Sequence, residues 1–405
     1  MTALRFERSL PRFAAARMAG MVAPGRGARI GPLRLVDADP PALPGPGWLT
    51  VRPRLSGVCG SDLATIDATS SRWFEPIVSF PFVPGHEVVG DLEDGRRVVL
   101  EAVLGCEARD IDPVCPACAR GELGRCEHIA AGHLKPGLQT GYCADTGGGW
   151  STGFVAHASQ LHDVPAELSD EEAVMIEPTA CAVHAVHRLA GFGTGRIAVI
   201  GAGTIGLCSI AALRQAGPDS RILVAARHPH QKALARELGG DLVVGDDEIV
   251  RVARRFAETS AVANRDGADG IERLTGGVDA TLDCVGSAAS IATALAITRP
   301  GGRVVLAGMP GHTRVDLTPL WQREIELVGA YAYGREPELD GQSHADGAPA
   351  GRRTFEIATD LVGPAQLGRL VSATYPLHRY AEALAHAAEA GRRGAVKIAF
   401  DLRAA

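Results

Sequence analysis

Ile197-Ala198-Val199-Ile200-Gly201-Ala202-Gly203-Thr204-Ile205-Gly206 is the stretch that decides the fold. Its leading apolar residues run without alternation, as in a parallel strand covered on both faces. Three glycines follow at the G-x-G-x-x-G spacing, each with a physical task. Gly201 makes a tight turn, Gly203 lets the backbone approach a pyrophosphate, and Gly206 lets a helix pack close to the strand. Leu207 to Ala216 reads as that helix, stopped by Gly217-Pro218. Its first N–H groups, opening from Thr204 and Ile205, face the pyrophosphate. A glycine turn alone is a weak sign. Here a strand precedes it, a helix follows, and a second apolar strand arrives at Ile222 to Ala225, which together read as dinucleotide binding.

The end of that second strand chooses the cofactor. A site for NAD usually carries Asp or Glu there, to take the ribose hydroxyls. This chain has Ala226, followed by Arg227, His228 and His230. A carboxylate would repel a 2′-phosphate, whereas a guanidinium can clasp one. The expectation is NADP, with a merely solvated Arg227 as the alternative.

A chain of 405 residues with 46% hydrophobic and 22% charged residues predicts two or three domains of an ordinary globular protein. The net charge of −6 offers no attraction to nucleic acid or to an anionic membrane, and no apolar run is long enough to span a bilayer. Of nine cysteines, four fall between residues 106 and 126, which points to metal rather than disulfides. Arg5, Arg8, Arg12 and Arg17, opposed only by Glu7, loosely resemble a transit peptide. Pro11 is expected to interrupt any helix there, and Leu4 to Glu7 alternates like an edge strand, so the expectation is a cytoplasmic protein.

Pro24 to Pro46 has the composition of loops and short strands rather than helices. A strand at Leu49 to Leu55 then delivers Gly57-Val58-Cys59-Gly60-Ser61-Asp62, and the apolar stretch Phe80 to Val83 delivers Pro84-Gly85-His86-Glu87. A Cys and a His on separate loops suit Zn²⁺, which takes thiolate and imidazole tetrahedrally and keeps one position open when catalytic. Singly, each residue reads as well as a small core thiol or a hydrogen-bonded histidine.

Taken in order with the glycine turn, these motifs resemble the zinc-dependent medium-chain dehydrogenase/reductase family, the alcohol and polyol dehydrogenases, over nearly the whole chain. The resemblance implies an α/β fold: a GroES-like, mostly β catalytic domain over 1–177 and 333–405, and a doubly wound Rossmann cofactor domain over 178–332. It implies that Cys59 and His86 ligate a catalytic zinc, with Glu87 a near or exchangeable ligand and Asp62 steadying His86. Ser61 then hands off the substrate proton. Many relatives carry a histidine soon after the aspartate; this chain has Leu63 and Ala64, which leaves the end of the proton relay unassigned.

Cys115, Cys118 and Cys126 match the family's structural-zinc lobe, where the remaining ligand normally stands at the place of Asp112. Four thiolates fit a closed tetrahedral site better than three and a carboxylate, so Cys106 is the expected fourth, with Asp112 the alternative. A zinc ribbon for nucleic acid is disfavoured because the surroundings, Glu107, Asp110, Asp112, Glu122 and Glu127 against Arg109, Arg120 and Arg125, are not basic. Gly141 to Gly153 reads as loop and turn with a structural Cys143. Glu177 stands where polyol, sugar and threonine dehydrogenases carry an acidic residue at the zinc, and is the expected third ligand. His184 and His187 read as helix-packing residues.

Ile249, Val252, Ala253 and Phe256 recur at helical spacing, and Val278 to Asp283, Arg303 to Ala307 and Ile325 to Tyr331 read as further strands. By resemblance, Val285 and Gly308 line the nicotinamide, Lys397 reaches the pyrophosphate, and the sixth strand pairs subunits into a homodimer or homotetramer. Arg335 to Arg353 reads as a flexible loop, and Tyr380, Leu384 and Ala388 as a helix. The whole implies an oxidoreductase with two zinc ions, its active site in the cleft between domains. It interconverts a secondary alcohol, in a polyol, sugar or related compound, and its ketone with NADP(H). The alternatives are an NAD-dependent primary-alcohol or aldehyde dehydrogenase, and a non-catalytic zinc and nucleotide binder. The last has no need of a proton-handling Ser61.

Overall fold

The structure is a computed structural model and describes residues 1–189, 195–263, 272–336 and 351–404. Contacts divide the chain into two units, Pro178–Ala332 and a unit made of Met1–Glu177 with Tyr333–Ala405. No helix among the described residues is long and apolar enough to cross a membrane.

The unit Pro178–Ala332 is built on a parallel sheet of six strands. In spatial order they are Leu242–Val244, Arg221–Ala225, Arg196–Ile200, Val278–Asp283, Thr298–Leu306 and Glu326–Gly329. The chain starts in the middle, winds outward on one side, returns and winds outward on the other. The switch point lies between Arg196–Ile200 and Val278–Asp283, where an open α/β sheet binds its ligand. Ile197, Ala198 and Val199 are fully buried, as an unalternating run on a doubly covered strand requires. The helix after the glycine turn is Thr204–Ala216, beginning at the turn itself and closed at Gly217.

The other unit is a mixed, mostly antiparallel sheet whose hub is the long strand Trp48–Gly57. That strand pairs with Val88–Leu92, Phe154–His157 and the C-terminal strand Lys397–Asp401. The pairing Ala399 with Gly57 brings the end of the chain beside the Cys59 motif. Thr2–Phe6 forms a two-stranded sheet with Leu33–Asp37, so the alternation at Leu4 to Glu7 reads correctly as a strand.

The expectation for Pro11 fails. A helix runs over Leu10–Val22 with the proline in its first turn. There the missing N–H has no intrahelical acceptor to lose and the fixed φ suits the helix, so proline starts this helix instead of breaking it. Within Pro24 to Pro46 there is one helical turn, Gly27–Ile30, whose entry is tied by the Asp67 carboxylate accepting from Gly25 N at 2.7 Å and Gly27 N at 3.1 Å. Of the expected loop at Arg335 to Arg353, the ends pair as Arg335–Glu336 with Arg352–Arg353, and 337–350 lie outside the described residues.

Candidate active site

Four cysteines form the tightest donor group. The Sγ atoms of Cys106, Cys115, Cys118 and Cys126 all lie within 4.8 Å of one another. Zn–S bonds of about 2.3 Å in a tetrahedron place thiolates about 3.8 Å apart, so a zinc ion fits with little adjustment. The structure gathers Cys106, not Asp112, with the other three. Backbone amides of Cys115 and Cys118 point at Sγ of Cys106 (3.3 Å) and Cys115 (3.4 Å). The thiol of Cys118 hydrogen-bonds Cys126 and pulls its pKa down to about 5, while that of Cys118 itself rises. His128, which the sequence reading passed over, has Nδ1 3.3 Å from Cys106 Sγ.

The second group is built around the end of the hub strand. Cys59 caps the helix Gly60–Ile66, and the Asp62 carboxylate reaches back to accept from Cys59 N at 2.9 Å. Ser61 therefore stands on the first turn of this helix, its Oγ 3.3 Å from Nε2 of His86. Asp62 lies behind the ring, Oδ1 3.6 Å from His86 Nδ1. That separation is longer than a hydrogen bond, and Nδ1 is buried without a hydrogen-bond partner. Tyr142, also unanticipated, donates to Asp62 Oδ1 at 3.4 Å.

Glu87 follows His86 and packs against Gly57, where a Cβ would fall 2.0 Å from Glu87 Oε2. Only glycine admits the carboxylate. Both of its oxygens are 2.6 Å from Nζ of Lys397, which also reaches Val58 O at 3.3 Å. This overturns the reading of Lys397 as a pyrophosphate ligand. Its ammonium is 3% exposed and held by Glu87. Burial alone would lower the lysine pKa, but the Glu87 carboxylate beside it more than offsets this and the pKa is raised.

Glu177 lies on the first turn of the helix Ile176–His187, which also carries His184 and His187. Burial, then the nearby Glu87, push its carboxyl up to about 8, and burial, then Glu87, push the Cys59 thiol up to about 12. Cys59, His86, Glu87 and Glu177 thus share one buried neighbourhood with more acids than cations. Among the described residues, only the four cysteines have donor atoms drawn together to metal-binding reach. A thiol, an imidazole and a carboxyl in one buried neighbourhood are nonetheless a donor set suited to a divalent cation.

The glycine turn of the other unit is shaped as its spacing requires. A Cβ on Gly206 would sit 1.8 Å from the Gly201 carbonyl oxygen, whereas one on Gly203 would meet nothing within 4 Å. Gly203 is exposed at the head of the helix, so its open side is room for a ligand. Val285, half exposed, follows the strand Val278–Asp283, and Gly308 follows Thr298–Leu306. Ala226 is fully buried at the end of its strand. Arg227 is 75% exposed and not fixed in place by packing; its Nε donates to Asp246 Oδ2 at 2.9 Å. His228 caps the helix Pro229–Glu237, its ring stacked 5.9 Å from that of His230.

Comparison with known proteins places this arrangement. Residues 45–166 match the alcohol dehydrogenase GroES-like domain, and residues 204–341 the zinc-binding dehydrogenase domain. A sorbitol dehydrogenase of Arabidopsis thaliana is 31% identical over 71% of this chain and 75% of its own length. An L-idonate 5-dehydrogenase of Vitis vinifera is 29% identical over 74% and 78%. The crystal structure of 2R,3R-butanediol dehydrogenase from Bacillus subtilis shares the fold, with a TM-score of 0.67 at 19% identity over 99% of both chains. The chain belongs to the zinc-dependent medium-chain alcohol and polyol dehydrogenase family. It is an enzyme, an oxidoreductase acting on CH–OH groups.

Two predictions follow from this geometry. Gly206→Ala should lower the unfolding free energy by about 1–3 kcal/mol or more, since the methyl collides with backbone. Gly203→Ala should leave stability unchanged yet weaken dinucleotide binding at least tenfold. Thermal unfolding and fluorescence titration separate the two. Lys397→Ala should cost about 3–5 kcal/mol, because it strands a buried carboxylate. Lys397→Met with Glu87→Gln should recover much of that in chemical denaturation.

Proposed function

We propose that the enzyme interconverts a secondary alcohol, carried by a polyol, sugar or related hydroxylated compound, and its ketone by zinc-dependent hydride transfer, with NADP(H) preferred. The observation that carries this reading is the half-buried meeting of Ser61 Oγ with Nε2 of His86, 3.3 Å apart, beside Cys59 and Glu177. A non-catalytic binder has no use for a hydroxyl at that place. The polyol class is supported by the sorbitol and idonate enzymes to which the chain is similar.

Cys59, His86 and Glu177 would hold the catalytic zinc, with Glu87 alongside, kept in place by Lys397. Cys106, Cys115, Cys118 and Cys126 would hold the structural zinc. The chemistry supplied by zinc when bound is Lewis acidity at the alcohol oxygen, and that supplied by the nicotinamide is hydride acceptance. Ser61 accepts the hydroxyl proton of the substrate on Oγ, and Asp62 orients His86 from behind. Gly201, Gly203, Thr204, Ile205 and Gly206 cradle the pyrophosphate, and Val285 and Gly308 border the nicotinamide. The strand Glu326–Gly329 ends its sheet, with no strand on its outer edge among the described residues, and would join subunits of a homodimer or homotetramer.

The cofactor preference turns on Arg227. Its pair with Asp246 is exposed, and such pairs are worth roughly 0–1 kcal/mol. A charge-assisted bond to a 2′-phosphate is worth about 1.5–3 kcal/mol, so the guanidinium can leave Asp246 for the phosphate.

For metal, two zinc ions per chain are expected by mass spectrometry. Cys118→Ala should lose one and unfold several degrees earlier, since a structural site contributes folding energy. Cys59→Ala with His86→Ala should lose the other and all turnover while keeping the fold. For function, a panel of polyols followed by nicotinamide absorbance should show turnover with NADP favoured roughly tenfold in kcat/KM. Asp246→Asn should widen that margin and Arg227→Leu should abolish it, at one ionic strength. A panel on which only primary alcohols react, or a wild-type preference for NAD, would refute the corresponding part of the proposal.

A further inference from the structure

The net charge of −6 is unevenly spread. Residues 1–30 carry six arginines, Arg5, Arg8, Arg12, Arg17, Arg26 and Arg29, and one acid, Glu7. Within them the helix Leu10–Val22 packs in the reverse of the ordinary sense for a surface helix. Its small residues face inward: Ala16 is fully buried, and Gly20 lies against Asp67, where a Cβ would fall 3.0 Å from Asp67 Cβ. Its large apolar residues face out, with Leu10 77%, Met18 64%, Met21 81% and Val22 76% exposed. Leu10, Ala14, Met18 and Met21 follow one another by four, four and three residues, so they form one stripe along the helix. Arg12 and Arg17 are exposed on the same helix, and Arg26 and Arg29 just beyond its end.

Independently of the reaction, we propose that this helix docks the enzyme on an anionic lipid bilayer. The helix lies flat on the surface, its stripe sunk to the level where headgroups meet acyl chains, and its arginines meet the lipid phosphates. Nothing crosses the bilayer, and the rest of the chain stays in water.

Three features favour a bilayer over other occupants. The stripe is held outward: Arg17 Nη1 donates to Ala68 O at 3.2 Å, and the chain after the helix is tied down where Gly25 N and Gly27 N donate to Asp67. The charge is complementary to lipid phosphate. Glu7 is matched by Arg5 at 2.7 Å and Glu75 by Arg8 at 3.5 Å and Arg72 at 3.4 Å, which leaves Arg12, Arg17 and Arg26 in excess. A second copy docked through the same face would set these arginines against their own counterparts, so charge disfavours a dimer there. The contact of Arg8 with Glu75 also brings the segment Arg72–Ile77 beside the start of the helix, and its Trp73 is 79% exposed. Tryptophan, apolar with one polar N–H, suits the boundary between water and lipid.

The test is sedimentation of the full chain with vesicles of phosphatidylcholine alone, and of phosphatidylcholine with phosphatidylglycerol in equal parts. The wild type should bind the mixed vesicles and not the neutral ones, and more weakly as salt rises from about 0.1 M to about 1 M. Arg12→Gln with Arg26→Gln should lower affinity for mixed vesicles roughly twentyfold, at about fivefold per arginine. Met18→Gln with Met21→Gln keeps every charge and should lower it at least roughly tenfold, through lost apolar burial. All four side chains are exposed, so circular dichroism and melting temperature should match the wild type in both variants. No binding to mixed vesicles, equal binding to both kinds, or a methionine variant that binds like the wild type would overturn the proposal. So would a wild type that ignores vesicles but loses an oligomer in the methionine variant, which would give the stripe to a second copy.

Discussion

The ion pair between Lys397 and Glu87 is the contact on which the candidate active site depends. Both carboxylate oxygens lie 2.6 Å from the ammonium, and both side chains are buried. A pair taken this far from water stabilises little by itself, but losing either half is costly. Its consequence is positional. It fastens the C-terminal strand to the residue after His86, across a chain separation of 310 residues. The Trp150 indole completes the clamp, donating to Gly57 O at 3.3 Å and packing edge-on against Phe400 at 5.1 Å. The segments bearing Cys59 and His86 are thereby held by the C-terminal strand and by Trp150.

The two candidate metal sites differ in how they hold charge without metal. The four thiols satisfy one another: a proton on Cys118 stabilises the thiolate of Cys126, and amides cover much of the rest. That is a closed site, complete in its own ligands. The other site gathers Cys59, Asp62, Glu87 and Glu177 with Lys397 as the lysine that matches Glu87. Burial, then Glu87, favours the protonated forms of Cys59 and Glu177. A cation entering there would meet a thiol, a carboxyl and a histidine nitrogen beside Ser61.

The strands of the cofactor unit and the clustering of the cysteines are legible in the sequence, because both are written locally. A buried parallel strand has to be an apolar run, and a turn without room for Cβ has to be glycine. What escaped depends on position or on distance. Pro11 escapes a local reading because proline forbids the middle of a helix but favours its first turn, and Ser9 at the N-cap makes no capping hydrogen bond. Lys397 was misassigned because its partner lies in a remote motif, and Tyr142 was missed because it sits in a glycine-rich loop without periodicity. Arg227 was visible as a charge, but its pairing with Asp246 joins two strand ends that only the fold brings together.

The helix Gly60–Ile66 shows how one short element divides its duties. Residues four apart lie on one face, so Thr65 stands over Ser61 and its hydroxyl reaches the Ser61 carbonyl. Asp62 and Ile66 share another face and are buried, the first against His86 and Tyr142, the second in the apolar core. Leu63 joins the same core. A histidine at 63 would place a polar ring on a face committed to apolar packing, and burying it unpaired would be unfavourable. The hydroxyl side chains Ser61 and Thr65 therefore share the remaining face of the helix.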